Sequence, residues 1–396
     1  MLRYLLAALA LAAAPSLTQA QDISARIAET GLAATEATLT GTDPATRFAL
    51  GGVRFLRAIE KTLQLRYRHN ATFDDVGLPV LRLPVPPNPA PEPFYPGLVT
   101  DIFRSVAMDM ETAREALAGA EGEFGVTIDL LAIWFDINEN GIRDDGESLF
   151  EAMAATLATR PGRVGLDEMP DALPVRFDTA DAAWLRAYTH LLSGVSDLVF
   201  AFDPTDVITE VLASSDAMKD LRGGTSASLF LSPDDEYFAD LIAILYGAIN
   251  RTPEAAHIHA ARDHILAMIA ENRSFWEQVA READNVNEWI PNATQVSALG
   301  FGLPPETGTT WLAVLGDAEA VLKGELLVGH WRLNPGAGIN VAKLLQDPIA
   351  IDIVTWLHGH GLMPYMERGT LADSRNMRRF ERMFSGDALL FMVWFN

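Results

Sequence analysis

The chain contains no cysteine in its 396 residues. That excludes disulfide staples, thiolate metal centres, thiol nucleophiles and covalent haem attachment. Positive charge is scarce, with 30 Lys and Arg against 53 Asp and Glu, a net charge of −23. So acidic a surface repels phosphate backbones and anionic headgroups, and nucleic acid is not an expected partner. Catalytic signatures are missing as well. There is no GxSxG elbow, no SxxK with companion motifs, no Walker or dinucleotide glycine loop, and no HExxH helix. Past the first residues, no uninterrupted apolar run reaches the roughly 18 positions that a spanning helix needs.

Residues 1–20 read as an export signal. Met1-Leu2-Arg3 gives a positive start, Tyr4 to Ala14 is apolar, and Thr18-Gln19-Ala20 before Gln21 is an acceptable small-x-small cleavage site. The apolar run is too short for a membrane anchor. The expected location is the periplasm or the exterior, with cleavage near Ala20 and no transmembrane segment afterwards. A chain of this size can bury a sufficient core without disulfides.

One stretch states a chemistry. Asp136, Asn138, Asn140, Asp144 and Glu147 place oxygen-bearing side chains at positions 1, 3, 5, 9 and 12 of a loop with Gly141 at position 6. A hard cation such as Ca²⁺ takes six to eight oxygens, and a short loop supplies them by curling around it. Gly141 permits the sharp turn, the carbonyl of Ile142 faces inward, Asp144 binds directly or through water, and Glu147 closes the shell with two oxygens. Five acidic residues against Arg143 make a costly surface turn unless a cation neutralises them.

Asp136–Glu147 resembles the EF-hand and EF-hand-like calcium loops of exported proteins, over these twelve residues and a few neighbours. The resemblance implies Ca²⁺ as cofactor, with Asp136, Asn138, Asn140, Ile142, Asp144 and Glu147 as its ligands. Two features depart from the family pattern. Arg143 stands where a large aliphatic residue normally pairs with a partner loop. The incoming Phe124, Val126, Ile128 and Leu130 alternate with Gly125, Thr127 and Asp129, a strand period rather than a helical one. A segment from Ser148 to Leu157 reads as the outgoing helix. A lone strand–loop–helix unit suits a structural clamp better than a sensor that opens a helix pair.

The remainder reads as mainly α with a minor α+β C-terminal part, built from helical hairpins plus the strand–loop–helix unit, and not a repeat solenoid. Residues 21–78 form an N-terminal hairpin: one helix from Asp22 to about Leu39, then a second capped by Asp43 with Pro44 at its first position and ending near Tyr67. Residues 79–97 hold eight prolines and must be extended, either as a stiff connector or as an arm over a pocket. Residues 98–323 form a mainly helical domain containing loop 136–147. Within it Leu98 to Ala120 is a helix, Pro174 to Phe177 a short strand, and Asp178-Thr179, Asp203-Pro204, Ser232-Pro233 and Thr252-Pro253 start helices. Another helix runs from Thr309 to Leu322. Residues 324–396 form a glycine-rich α+β closing segment of the same domain, and the apolar Leu389 to Phe395 is expected in the core.

Secondary site candidates are less specific. His257 and His264 share a helix face and His259 lies nearly opposite, without the i, i+4 spacing of a zinc pair, so incidental helix histidines are expected. His330-Trp331-Arg332 and His358-Gly359-His360 fall in the glycine-rich segment, where a backbone can approach a ligand closely. Arg368, Arg375, Arg378, Arg379 and Arg382 form a basic cluster, best read as pairing with the protein's own carboxylates. The favoured function is an exported soluble calcium-binding protein with one structural Ca²⁺, a binding or scaffolding component for a protein or small-molecule ligand. The alternative is a calcium-stabilised hydrolase-like enzyme with its site in the C-terminal Gly/His segment. A deep pocket joining His330, Arg332, His358 and His360 would favour the enzyme.

Overall fold

The computed structural model of the chain describes residues 15–72, 81, 83–151, 171–219, 236–300 and 302–384, with side chains from Ile23 onward. The predicted export signal lies outside these up to residue 14, as do most of the outgoing segment from Ser148 to Leu157, the Ser232-Pro233 helix start and the C-terminal apolar stretch. Among the described residues the architecture is mainly α, with two small antiparallel strand pairs and no repeat solenoid. No described helix is long and apolar enough to cross a membrane.

Helix α1 (Pro15–Thr38) begins upstream of the predicted start at Asp22 and breaks at Gly31, where φ is +77°. The Trp134 ring lies 3.2 Å from where a Cβ would sit on Gly31, so both the conformation and the close approach require glycine. Helix α2 (Pro44–Arg68) starts as its sequence dictates. Asp43 accepts the Thr46 N–H at 3.0 Å, and Pro44 fills a position whose N–H would have no partner.

The proline-rich segment is extended as expected, but it is more than a connector. It folds back over the end of α2: Asn88 donates to the Tyr67 carbonyl (3.1 Å), the Glu92 N–H to the Arg68 carbonyl (2.9 Å), and buried Arg66 to the Leu83 carbonyl (2.6 Å). The first two bonds satisfy carbonyls that a helix end leaves without intrahelical partners, and the third ties the segment to a buried guanidinium.

Helix α3 (Leu98–Leu117) leads to strand β1 (Gly125–Asp129), which pairs antiparallel with β2 (Pro174–Asp178) from Gly125 opposite Asp178 to Asp129 opposite Pro174. A capping box of Asp178 and Asp181 then opens helix α4 (Thr179–Ala201). Helices α5 (Thr205–Lys219), α6 (Glu236–Ile249), α7 (Ala255–Val279) and α8 (Thr307–Leu322) follow. The closing segment holds β3 (Ala337–Ile339) paired with β4 (Met366–Arg368), short helices α9 (Val341–Gln346) and α10 (Ile353–His358), and α11 (Arg375–Met383).

Two main cores result. The first, around Ile27, Phe48, Val53, Trp134 and Phe135, lies between α1, α2 and the segment entering loop 136–147. The second, around Phe275, Trp276, Trp311 and Phe380, joins α4, α7, α8 and α11. The loop therefore sits directly on the first core.

Candidate functional site

The chain enters the acidic loop through Ile133, Trp134 and Phe135, all buried, and Ile137 behind Asp136 is buried too. This alternation of core residue and loop ligand anchors the start of the loop to the interior. Its two ends are tied by antiparallel hydrogen bonds, from the Phe135 N–H to the Glu147 carbonyl (2.8 Å) and from the Leu149 N–H to the Ile133 carbonyl (3.0 Å). The flanks of the loop thus meet in one antiparallel bridge between Trp134 and Ser148, and the outgoing chain turns helical at Leu149, as far as Glu151 among the described residues.

Inside the loop, Asp136, Asn138, Asn140, Asp144 and Glu147 form one hydrogen-bonded set. The Asn138 and Asn140 amides both donate to Asp144 Oδ2, at 2.7 and 2.8 Å. Their own Oδ1 atoms accept the backbone N–H groups of Asn140 and Ile142, and Asp136 Oδ2 accepts that of Gly141 (3.0 Å). Gly141 has φ +75°, the conformation that the turn needs. Glu147 is 2 % exposed and accepts the N–H groups of Ile137 (2.8 Å) and Asp144 (2.9 Å). Burial pushes its carboxyl up from the usual range. The side chain of Ile142 is exposed, and Arg143, also exposed, reaches back to the Leu131 carbonyl (3.5 Å), with no partner loop against it among the described residues. One atom stands apart: Asp136 Oδ1 is buried with no hydrogen-bond donor.

Helix α2 braces this loop through three residues that sequence reasoning missed. Glu60 Oε1 accepts the Asp136 N–H (2.9 Å), Gln64 donates to the Asp136 carbonyl (2.8 Å), and Arg68 pairs with Glu139 (2.8 Å). They lie at i, i+4 and i+8, one polar stripe beside the apolar face of the helix. Glu60 is 1 % exposed and pairs with Arg57; burial raises its carboxyl pKa. The polar stripe was visible in the sequence, but its target was not.

A second acidic group, also unforeseen, joins Asp178, Glu282 and Glu288, whose carboxylate oxygens lie within 4.8 Å of one another, close enough to hold a metal ion. Arg176 compensates part of the charge by bonding Asp178 (3.2 Å) and Asp284 (3.1 Å). Burial, then the Asp178 charge, pushes Glu282 up to about 7, and burial drives the fully enclosed Asp181 well above the carboxylate range. These residues are spread over more than a hundred positions, so no local motif announces them.

The histidines divide as their helical spacing implies. His257 Nδ1 meets Asp197 at 2.8 Å, and His264, on the same face of α7, meets His190 of α4 at 2.9 Å, whereas His259 turns to the Gln346 carbonyl. In the closing segment, Arg332 reaches His358 (3.0 Å) and His358 reaches His360 (3.1 Å), while His330 sits against Gly359. Arg332, His358 and His360 are exposed, next to the exposed Trp331 and Leu357. In the basic cluster, Arg375 pairs with Asp373 and Arg379 with Glu306, the internal neutralisation expected for two of its five arginines, while Arg382 donates to the Arg378 carbonyl.

Between the two acidic groups lies an apolar cavity of about 250 Å³. Its walls come from α1, α2, α3, α4, both strands of the first pair and the segment entering the loop, and no charged side chain lines it. The cavity is half open to the surface, so its apolar wall is partly in contact with water. Water gains little there, because a well-held water needs two to four polar partners. The Thr62 hydroxyl, one of the few polar groups in the wall, is already bonded to the Ala58 carbonyl.

No protein-family model matches this chain, and neither a curated protein nor a solved structure is similar to it.

Proposed function

We propose that this chain is an exported binding protein whose loop Asp136–Glu147 holds one structural Ca²⁺. The observation that carries the reading is Asp136 Oδ1, a buried carboxylate oxygen with no donor, in a loop where Asp144 accepts two side-chain amides and the Asn138 and Asn140 oxygens accept backbone N–H groups. Leaving such an atom without a partner is costly, and a divalent cation satisfies it without a new protein donor. Asp136, Asn138, Asn140, Asp144, Glu147 and the Ile142 carbonyl would hold the ion, an all-oxygen set suited to calcium. The bound charge would offset the repulsion among the loop's carboxylates. With flanks fixed to each other and to α2, the loop acts as a clamp between α2 and the segment that enters the loop. The exposed arrangement of Arg332, His358 and His360 supports a binding role over a catalytic one.

The test is thermal unfolding of the full chain in calcium and in chelator. An extracellular-type site of roughly 10⁻⁴ M affinity in about 10 mM calcium stabilises by about 2.7 kcal/mol, a rise of a few degrees in Tm. Glu147→Gln should remove most of that rise. Equal melting of wild type and variant in both media would refute the loop site. Loss of the rise in Glu288→Gln instead would move the ion to the Asp178–Glu282–Glu288 group.

A further inference from the structure

The cavity is bordered by a broad apolar face of α2. Phe48, Val53, Phe55, Ala58, Ile59 and Thr62 all line it, a span of about 21 Å at 1.5 Å per residue. One end lies in the core around Phe48, and the other lies in the cluster formed by Ala58, Val106 and Met110. Gly52 sits midway, and a Cβ added there meets nothing within 4 Å, so its missing side chain leaves the space open.

We propose that this cavity binds one unbranched aliphatic chain, the tail of a fatty acid or of a single-chain lipid, along α2. The absence of lining charge rejects ions, sugars and amino acids, whose polar groups would be stripped of water without replacement. A wall that follows α2 from Phe48 to Thr62 suits an extended methylene chain better than a compact ring system. A tail in this place fills the void and gains the transfer energy of each buried methylene. The proposal deepens the binding role stated above by naming the ligand class, and it does not require the calcium site.

Calorimetric titration of the full chain in chelator, so that failure of the calcium site leaves the result readable, tests it. Dodecanoic acid and dodecanoyl-lysophosphatidylcholine, each kept below its micellar concentration, distinguish a free acid from a lipid tail; adamantane carboxylate is the bulky control. One-to-one saturable binding of either chain, and none of the adamantane compound, is expected. Gly52→Leu fills the space and replaces a mid-helix glycine, so it should weaken the chain's binding at least tenfold while keeping or raising Tm. No saturation by either chain in the wild type, equal binding of the adamantane compound, or unchanged binding in a folded Gly52→Leu variant would each overturn the proposal.

Discussion

Glu60 is a carboxylate enclosed almost completely, with Arg57 on one side and the Asp136 N–H on the other. Removing a buried member of such a set leaves its partners desolvated, and that penalty exceeds the modest net value of the bonds themselves. Glu60→Ala should therefore cost about 3 kcal/mol, less than the upper values for buried pairs because Arg57 keeps some contact with water and with Glu36. Urea denaturation measures it. The same variant should show a smaller calcium-induced rise in Tm, since the first loop ligand loses its backbone anchor. A change within about 0.5 kcal/mol, the range of ordinary surface substitutions, would mean that the α2 stripe does not brace the loop. The oxygen spacing in 136–147 was legible because every ligand is local. Glu60 was not, because nothing in a sequence tells which of many acidic residues on a helix meets a backbone N–H seventy-six positions away.

At the scale of elements, helices α4 and α7 are joined by the His190–His264 contact, with Asp197 and His257 beside it and Glu111 and Arg114 facing from α3. Burial, then the Arg114 charge, holds His190 down to about 4, against 6.5 for a free imidazole. Between those values the unfolded chain carries a proton that the folded chain refuses, so this site loses stability as pH falls from about 6.5 to 4. Glu282 works in the opposite sense. Its folded carboxyl keeps a proton up to about 7, against 4.5 when free, so its contribution is lost as pH rises through that window. Melting at pH 5 and pH 7 in chelator separates the two. His190→Gln should gain stability at pH 5 relative to pH 7, and Glu282→Gln should shift the difference the other way. Shifts of the same sign in both variants would contradict these assignments.

The elements themselves were largely readable in the sequence. Asp43-Pro44 and Asp178-Thr179 mark helix starts through capping chemistry that acts within three residues, and the alternation in Phe124 to Leu130 marks β1, of which Val126 is the buried residue. What escaped was fixed by tertiary packing. Examples are the early start of α1, the return of the proline segment over α2, and the gathering of Asp178, Glu282 and Glu288. The cavity is the extreme case: an apolar stripe looks the same in sequence whether its far side is filled or open.

Across the whole molecule, the loop and the cavity share walls. Ile133 and Phe135 line the cavity, and they belong to the short run that delivers Asp136 to the loop. Helix α2 contributes Phe48 to Thr62 to the cavity wall and a polar stripe, Glu60, Gln64 and Arg68, to the loop. An ion that fixes Asp136 therefore fixes the position of two wall residues and the register of α2 against them. If that order exists before a chain enters, less is lost on binding, and the two ligands help each other. Calcium should tighten dodecanoic acid binding by about fivefold, the low end of typical coupling. Reciprocity then requires the acid to tighten calcium by the same factor, because the thermodynamic cycle must close. Titrating each ligand in the presence and absence of the other checks both legs. Equal affinities for the acid in calcium and chelator, in a protein that binds both, would show that the wall at Ile133 and Phe135 is already rigid without the ion, and the loop would then stabilise the fold without reaching the cavity.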